Sequence, residues 1–205
     1  MATYHRDWKV LLIGGSSGVG KTITAREIGL RHGISWLQVD DLRLAFQWSH
    51  VMLPGHTDAL YLFQNPDAWQ LSPEEFCKGL IAVGEIMSPA IEIVIDNHVA
   101  TDAPIVNEGD GILPSLFARP IVQKHVQSGH VRGIFLFEPD EKVLYANMLA
   151  RGRGAEAMPE AELRTEARAK WLYGQWLVEQ ASRFGIPAPE ARPWATLLDR
   201  VLAIV

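Results

Sequence analysis

The chain has 205 residues, 48% of them hydrophobic and 21% charged, with a net charge of -5. That hydrophobic share excludes a disordered chain, and the length suits one domain. The acidic balance, without any Lys/Arg block, gives a nucleic-acid partner no general electrostatic support. No apolar stretch approaches the roughly 20 residues that span a bilayer.

The elements follow in chain order. Lys9 to Ile13 is a short apolar run that stops at glycines, as a fully buried strand does. Lys21 to His32 is rich in helix formers, and Gly33 suits the position just past a helix end. Ile34 to Val39 reads as a second strand, ending at Asp40 and Asp41, with a helix from Leu42 to Trp48. Asp41 is the better candidate to cap that helix. Val51 to Leu71, broken by Pro54, Gly55, Asn65 and Pro66, reads as a long irregular segment. Ser72 to Glu75, "SPEE", starts a helix with Ser at N-cap, Pro at N1 and Glu at N3.

The continuation of that helix is ambiguous. "IEIVIDN", Ile91 to Asn97, reads either as a strand ending at Asp96 or as more helix. Leu80, Val83, Met87, Ile91 and Val94 recur at helical spacing, and the helix is favoured despite Pro89. Pro104 to Pro114 gives a third strand running into a glycine-rich turn. Ile121 to Gln127 reads as helix and Val131 to Phe137 as strand. Pro139 to Arg151 and Ala161 to Phe184 are helical, around a flexible "RGRGAEAMPE". Gly185 to Trp194 gives a last extended segment, and Ala195 to Ile204 closes with a helix. Strands alternating with helices predict an α/β fold, a parallel sheet with helices on both faces.

Cys77 is the only cysteine, so no internal disulfide forms; this suits a reducing cytoplasm. The N-terminus lacks the apolar h-region of a secretory signal. A soluble, cytoplasmic protein is expected. The histidines, His50 and His56 included, lack metal-binding spacing.

Gly15 to Thr22 reads G-x-x-x-x-G-K-T, between a predicted strand and a predicted helix. In this context Gly15, Ser16, Ser17, Gly18, Val19 and Gly20 turn backbone N–H groups toward phosphates. Lys21 sets a cation against them, and the Thr22 hydroxyl is a ligand for Mg²⁺. ATP and Mg²⁺ are therefore the expected cofactors. The base-reading N-K-x-D and the D-x-x-G of GTPases are missing, and too little chain remains for a ring-forming ATPase. A small-molecule kinase needs an acid near the acceptor hydroxyl, an acid near Mg²⁺, and arginines over the transferring group. Asp40 meets the first demand, at the sheet edge where α/β proteins bind ligands. Arg43, one turn on, suits an anionic substrate group. Glu108, ranked ahead of Asp110 and Asp96, meets the second. Arg151 and Arg153, among glycines, meet the third as a lid. Arg164, Arg168 and Lys170 follow beside Glu160, Glu162 and Glu166; Arg164 reads as part of a solvated face.

The order "GGSSGVGKT", "VDDLR", "NEGDGILP", "RGRG" resembles the P-loop small-molecule kinases, and within them the 2-phosphoglycerate kinase-like group. Glu108-Gly109 matches that group's Glu-Gly pair beside the phosphate loop. The resemblance implies the three-layer P-loop NTPase fold, with the five-stranded parallel core of nucleoside-monophosphate kinases. It also implies ATP, Mg²⁺ and transfer to a small hydroxylated acceptor. One domain over 1–205 is expected, with a substrate-side insertion at about 48–72 and a lid at about 151–160. Arg192, Pro193 and Trp194 would lie near where related kinases hold adenine. The aromatic, cation-poor segment from Trp48 to Trp69 suggests a less charged acceptor. It keeps open a kinase of an antibiotic or nucleotide-sugar; an ATP-sensing module with slow hydrolysis and a protein partner is the other alternative.

Overall fold

The computed structural model describes residues 6–49, 55, 57–152 and 158–205. Four parallel strands form one sheet in the order β2-β3-β1-β4. They are β1 (Val10–Gly15), β2 (Ser35–Gln38), β3 (Ile105–Glu108) and β4 (Val131–Leu136). Every β1 residue is buried, because its side chains meet a helical layer on each face. Val10 and Leu12 join one apolar core, with α3 (Pro73–Ala100) and α6 (Glu160–Arg183). Leu11 and Ile13 join the other, with α1 (Lys21–His32) and α7 (Leu197–Ile204). Burying each such Leu or Ile side chain is worth roughly 1.5–3 kcal/mol. The result is a three-layer α/β arrangement.

The expected fifth strand is reduced to one bridge, Phe137 to Glu190, beyond β4. Phe135 and Phe137 donate to the carbonyls of Pro187 and Pro189, and Ala191 donates back to Phe137. The two prolines carry no N–H, so the return bonds to β4 cannot form. The chain runs where a strand would, with part of its ladder chemically deleted.

Ile91 to Asn97 is helix, within the 28-residue α3. Ile91 and Ile95 are fully buried, while Ile93 is 69% exposed. A strand would have put all three on one face. Ser72 and Glu75 close a reciprocal capping box at the start of α3. The helix α2 (Val39–Trp48) begins three residues earlier than expected. Its N-cap is Gln38, which makes no side-chain cap bond, so Asp41 is not the cap but an acid in the first turn. Negative charge is favourable there through the helix dipole.

The segment expected to be irregular holds two short 3₁₀ helices, Asp58–Gln64 and Pro66–Gln70. Its aromatics serve packing: Trp69 stacks on Phe76 at 5.5 Å, and Phe63 meets the same ring edge-on at 5.8 Å. His50 and His56 lie outside the described residues. The remaining helices are α4 (Pro120–Gln127) and α5 (Glu141–Ala150), and α7 starts after a short 3₁₀ turn at Trp194–Thr196. No helix among the described residues is long and apolar enough to cross a membrane.

Candidate active site

All four strands are parallel, so their carboxyl ends share one edge. From β1 the chain crosses to β2, and from β3 it crosses to β4, so the connections diverge between β1 and β3. Such a divergence opens a crevice at the carboxyl edge. The Gly15–Thr22 loop leaves β1 at this point. Gly15 has φ 137°, and a Cβ there would stand 2.2 Å from the Leu136 carbonyl oxygen. Only glycine lets the loop turn so close to β4. Gly20, at φ 82°, is the N-cap of α1 and offers no side-chain acceptor. The first turn of α1 holds no acidic residue either, so its N–H groups and dipole are left for an anion.

The side chains around the loop form a connected polar set. Lys21 is buried, and its Nζ donates to the Ser16 carbonyl at 2.7 Å and to Oδ1 of Asp110 at 2.6 Å. Ser17 Oγ donates to Oδ2 of Asp110 at 2.7 Å. The Thr22 hydroxyl donates to Oε1 of Glu108 at 2.7 Å. The Tyr173 hydroxyl, arriving from α6, donates to the backbone carbonyl of Asp110.

Their protonation follows from their neighbours. Burial raises the Glu108 carboxyl above its ordinary value, against Lys21 and the Thr22 hydrogen bond. Burial opposes ionisation of Asp110 too, but the charges of Lys21 and Lys170 and the bonds from Lys21 and Ser17 outweigh it, bringing the carboxyl down to about 2. Asp40 keeps 48% of its side chain exposed toward the crevice. Desolvation by the surrounding walls still raises its carboxyl, with help from Asp110 and against Arg43 and Lys21.

One cavity of about 430 Å³ joins the phosphate loop to Asp40 and Arg43. Arg43 Nε lies 3.5 Å from Asp40, and its guanidinium sits over the Phe63 ring at 5.4 Å. Lys170 and Glu166 line the same cavity and pair with each other. Lys170 is therefore no part of a solvated helix face. Spacing alone does not separate it from Arg164, which pairs with Glu160 in solvent, or Arg168, which pairs with Glu141. Sequence reasoning also missed Tyr173 and Asn147. Asn147 donates to the Gly18 carbonyl at 3.1 Å.

A second cavity of about 420 Å³ lies outside the loop, between Gly18, Gly20, Asn147, Arg151 and Trp194. Arg151, exposed at the end of α5, lines both cavities. Arg153 lies outside the described residues. Arg192 forks onto the buried Glu138 at 2.7 and 2.8 Å, just before Trp194, whose ring covers Gly20. Asp96 stands on α3, bonded to His125 at 2.8 Å. It belongs to a helix rather than to a strand leading to the loop.

Among the described residues no cluster of three His, Cys, Asp or Glu side chains could hold a metal. Mg²⁺ takes one or two protein oxygens and completes its shell with phosphates and water. The Thr22 hydroxyl and the Glu108 carboxylate are such hard oxygens.

The chain is similar to 2-phosphoglycerate kinases. It is 28% identical to that of Methanocaldococcus jannaschii over 203 residues, 96% of this chain and 62% of the relative. It is 26% identical to that of Methanothermobacter thermautotrophicus, over 94% of this chain and 64% of the relative. The chain thus spans under two thirds of the length of these 2-phosphoglycerate kinases. A gluconokinase structure from Sinorhizobium meliloti aligns over 96% of this chain and 90% of its own, at 18% identity and a TM-score of 0.46. No family model matches the chain.

Proposed function

We propose that this chain transfers the γ-phosphoryl group of ATP to a hydroxyl of a small anionic metabolite, of the kind phosphorylated by a 2-phosphoglycerate kinase. The observation that carries the reading is the single cavity in which the phosphate loop faces Asp40, Arg43 and Lys170. In this reading the chain is one P-loop kinase domain, with the 48–72 region on the acceptor side and a lid near 151–160, working in the cytoplasm.

The roles follow from position. The loop backbone and the start of α1 hold the phosphates, and Lys21 neutralises charge as it develops. Asp40 orients the acceptor hydroxyl and takes its proton as the new oxygen–phosphorus bond forms and the bond to the β,γ-bridging oxygen breaks, leaving ADP. Arg43 and Lys170 bind the anionic part of the acceptor. The cations missing from the Trp48–Trp69 segment are thus supplied by α2 and α6. Arg151, with Arg153, covers the phosphates and excludes water. Thr22 and Glu108 would hold Mg²⁺, which would supply positive charge against the phosphate oxygens when bound. Trp194 and Asn147 line the side from which the nucleotide base enters.

The test is ADP formation from Mg-ATP with and without 2-phosphoglycerate. Production should depend on the acceptor, and a phosphorylated acceptor should appear by ³¹P NMR. ADP release at one rate regardless of acceptor, with 3-phosphoglycerate and glycerate also tried, would count against the kinase reading.

A further inference from the structure

We propose that the Asp110 carboxylate is a resident competitor for the phosphate loop: nucleotide must take Ser17 from it and compete with it for Lys21, and its release beside Asp40 and Glu108 makes binding depend on a divalent cation. The inference rests on the nucleotide-binding part of the reading above and is independent of the acceptor.

The geometry is that of an anion bound to a phosphate loop. The two side-chain donors of the loop divide the carboxylate between them, Ser17 on Oδ2 and Lys21 on Oδ1. Ser17 has one O–H to give, and Lys21 already spends a second donor on the Ser16 carbonyl. Lys21 keeps a third donor, but a phosphate that takes the Ser17 hydroxyl must displace Asp110, and it competes with Asp110 for the Lys21 charge. Tyr173, almost wholly buried, holds the Asp110 carbonyl from α6. The backbone is anchored, so release means rotation of the side chain rather than withdrawal of the turn.

Release has an electrostatic consequence. Once Lys21 turns to the phosphates, Asp110 loses the ammonium group that pairs with it at 2.6 Å. The next cation, Lys170, already pairs with Glu166. Asp40 and Glu108 line the same cavity as Asp110. A triphosphate would then share one crevice with three carboxylates, an arrangement that a divalent cation relieves and that metal-free nucleotide does not.

Calorimetric titration with a non-hydrolysable ATP analogue, in EDTA and in Mg²⁺, tests this on the wild-type chain and on Asp110→Asn. Asparagine still accepts from Ser17 but carries no charge. Wild type should bind weakly in EDTA and far more tightly with Mg²⁺. Asp110→Asn should bind the metal-free analogue about tenfold or more tightly, the size of a lost charge-assisted competitor, and narrow the gap between the two buffers. Equal or weaker metal-free binding by Asp110→Asn overturns the inference while leaving the nucleotide reading intact. No binding by wild type in either buffer overturns both. Should Asp110→Asn fail to fold by circular dichroism, Tyr173→Phe frees the Asp110 carbonyl and should shift metal-free binding in the same direction, by less. An unchanged ratio in that variant overturns the inference as well.

Discussion

The Thr22 hydroxyl meets the Glu108 carboxylate across 2.7 Å, joining residues 86 positions apart. The contact spans the point where the sheet connections diverge, between the loop after β1 and the end of β3. It places two hard oxygens side by side, one of them on a carboxylate that burial makes costly to ionise.

Glu108→Gln should therefore stabilise the protein while impairing metal-assisted binding. The folded carboxyl lies above its unfolded value, so ionised Glu108 costs stability at neutral pH. Removing the charge should raise the melting temperature at pH 7 by about 2–4 °C. The gain should fade at acidic pH, where wild-type Glu108 is itself protonated in the fold. Mg²⁺-dependent nucleotide affinity should fall by about tenfold. A lower melting temperature at pH 7 would show that the ionised carboxylate is a net stabiliser.

Asp40 predicts a specific pH profile. Its carboxyl is raised, and its base form exists only above that raised value. kcat/KM should decline as pH falls through it, at a pH above the ordinary aspartate value of 3.8. Arg43 holds the carboxyl down, so Arg43→Gln should move the acid limb to higher pH. Asp40→Asn should lower kcat by about 10²–10⁴-fold and leave the affinity for nucleotide in the presence of Mg²⁺ unchanged. An acid limb retained in Asp40→Asn assigns the proton to another group.

Lys21→Ala should cost at least about 10²–10³-fold in turnover, measured as acceptor-dependent ADP formation. It should also remove a stability term. Asp110 titrates at about 2 in the fold against an ordinary 3.8, so its contribution is full above the ordinary value and is lost as pH falls toward 2. Lys21 is the largest favourable cause of that shift. Wild type should thus lose stability over this window and Lys21→Ala should lose less, as followed by urea unfolding at pH 5 and pH 2.5.

Ile95 and Ile93 give a test of the fold. Ile95→Ala should cost about 2–5 kcal/mol, because it opens a cavity in the α3 core. Ile93→Ala should stay within about 0.5 kcal/mol, because that side chain stands in solvent. Equal losses in denaturant titration would favour a strand.

Much of the frame is legible in local chemistry. The phosphate loop, the capping box at Ser72 and the helical spacing through Ile91 and Ile95 depend on neighbours within a few residues. The missing ladder beyond β4 was overlooked: five strands were expected and four form, although Pro187 and Pro189 announce absent donors. The start of α2 was not legible, because its N-cap is a glutamine without a capping bond and two aspartates nearby made the better signal.

The amino-acid order by itself determined an α/β chain with a phosphate-binding turn after its first strand, because hydrophobic period and glycine freedom are local properties. It also marked Asp40, Glu108 and Asp110 as acids at strand ends. Only the tertiary structure decided how they divide: Glu108 on Thr22, Asp110 on Lys21 and Ser17, Asp40 facing the crevice beside Arg43. It alone turned Lys170 inward and Arg164 outward on one helix. Charge and spacing are the same for both; which face packs is set by the α3 and α5 surfaces that α6 meets, and those lie far away in sequence.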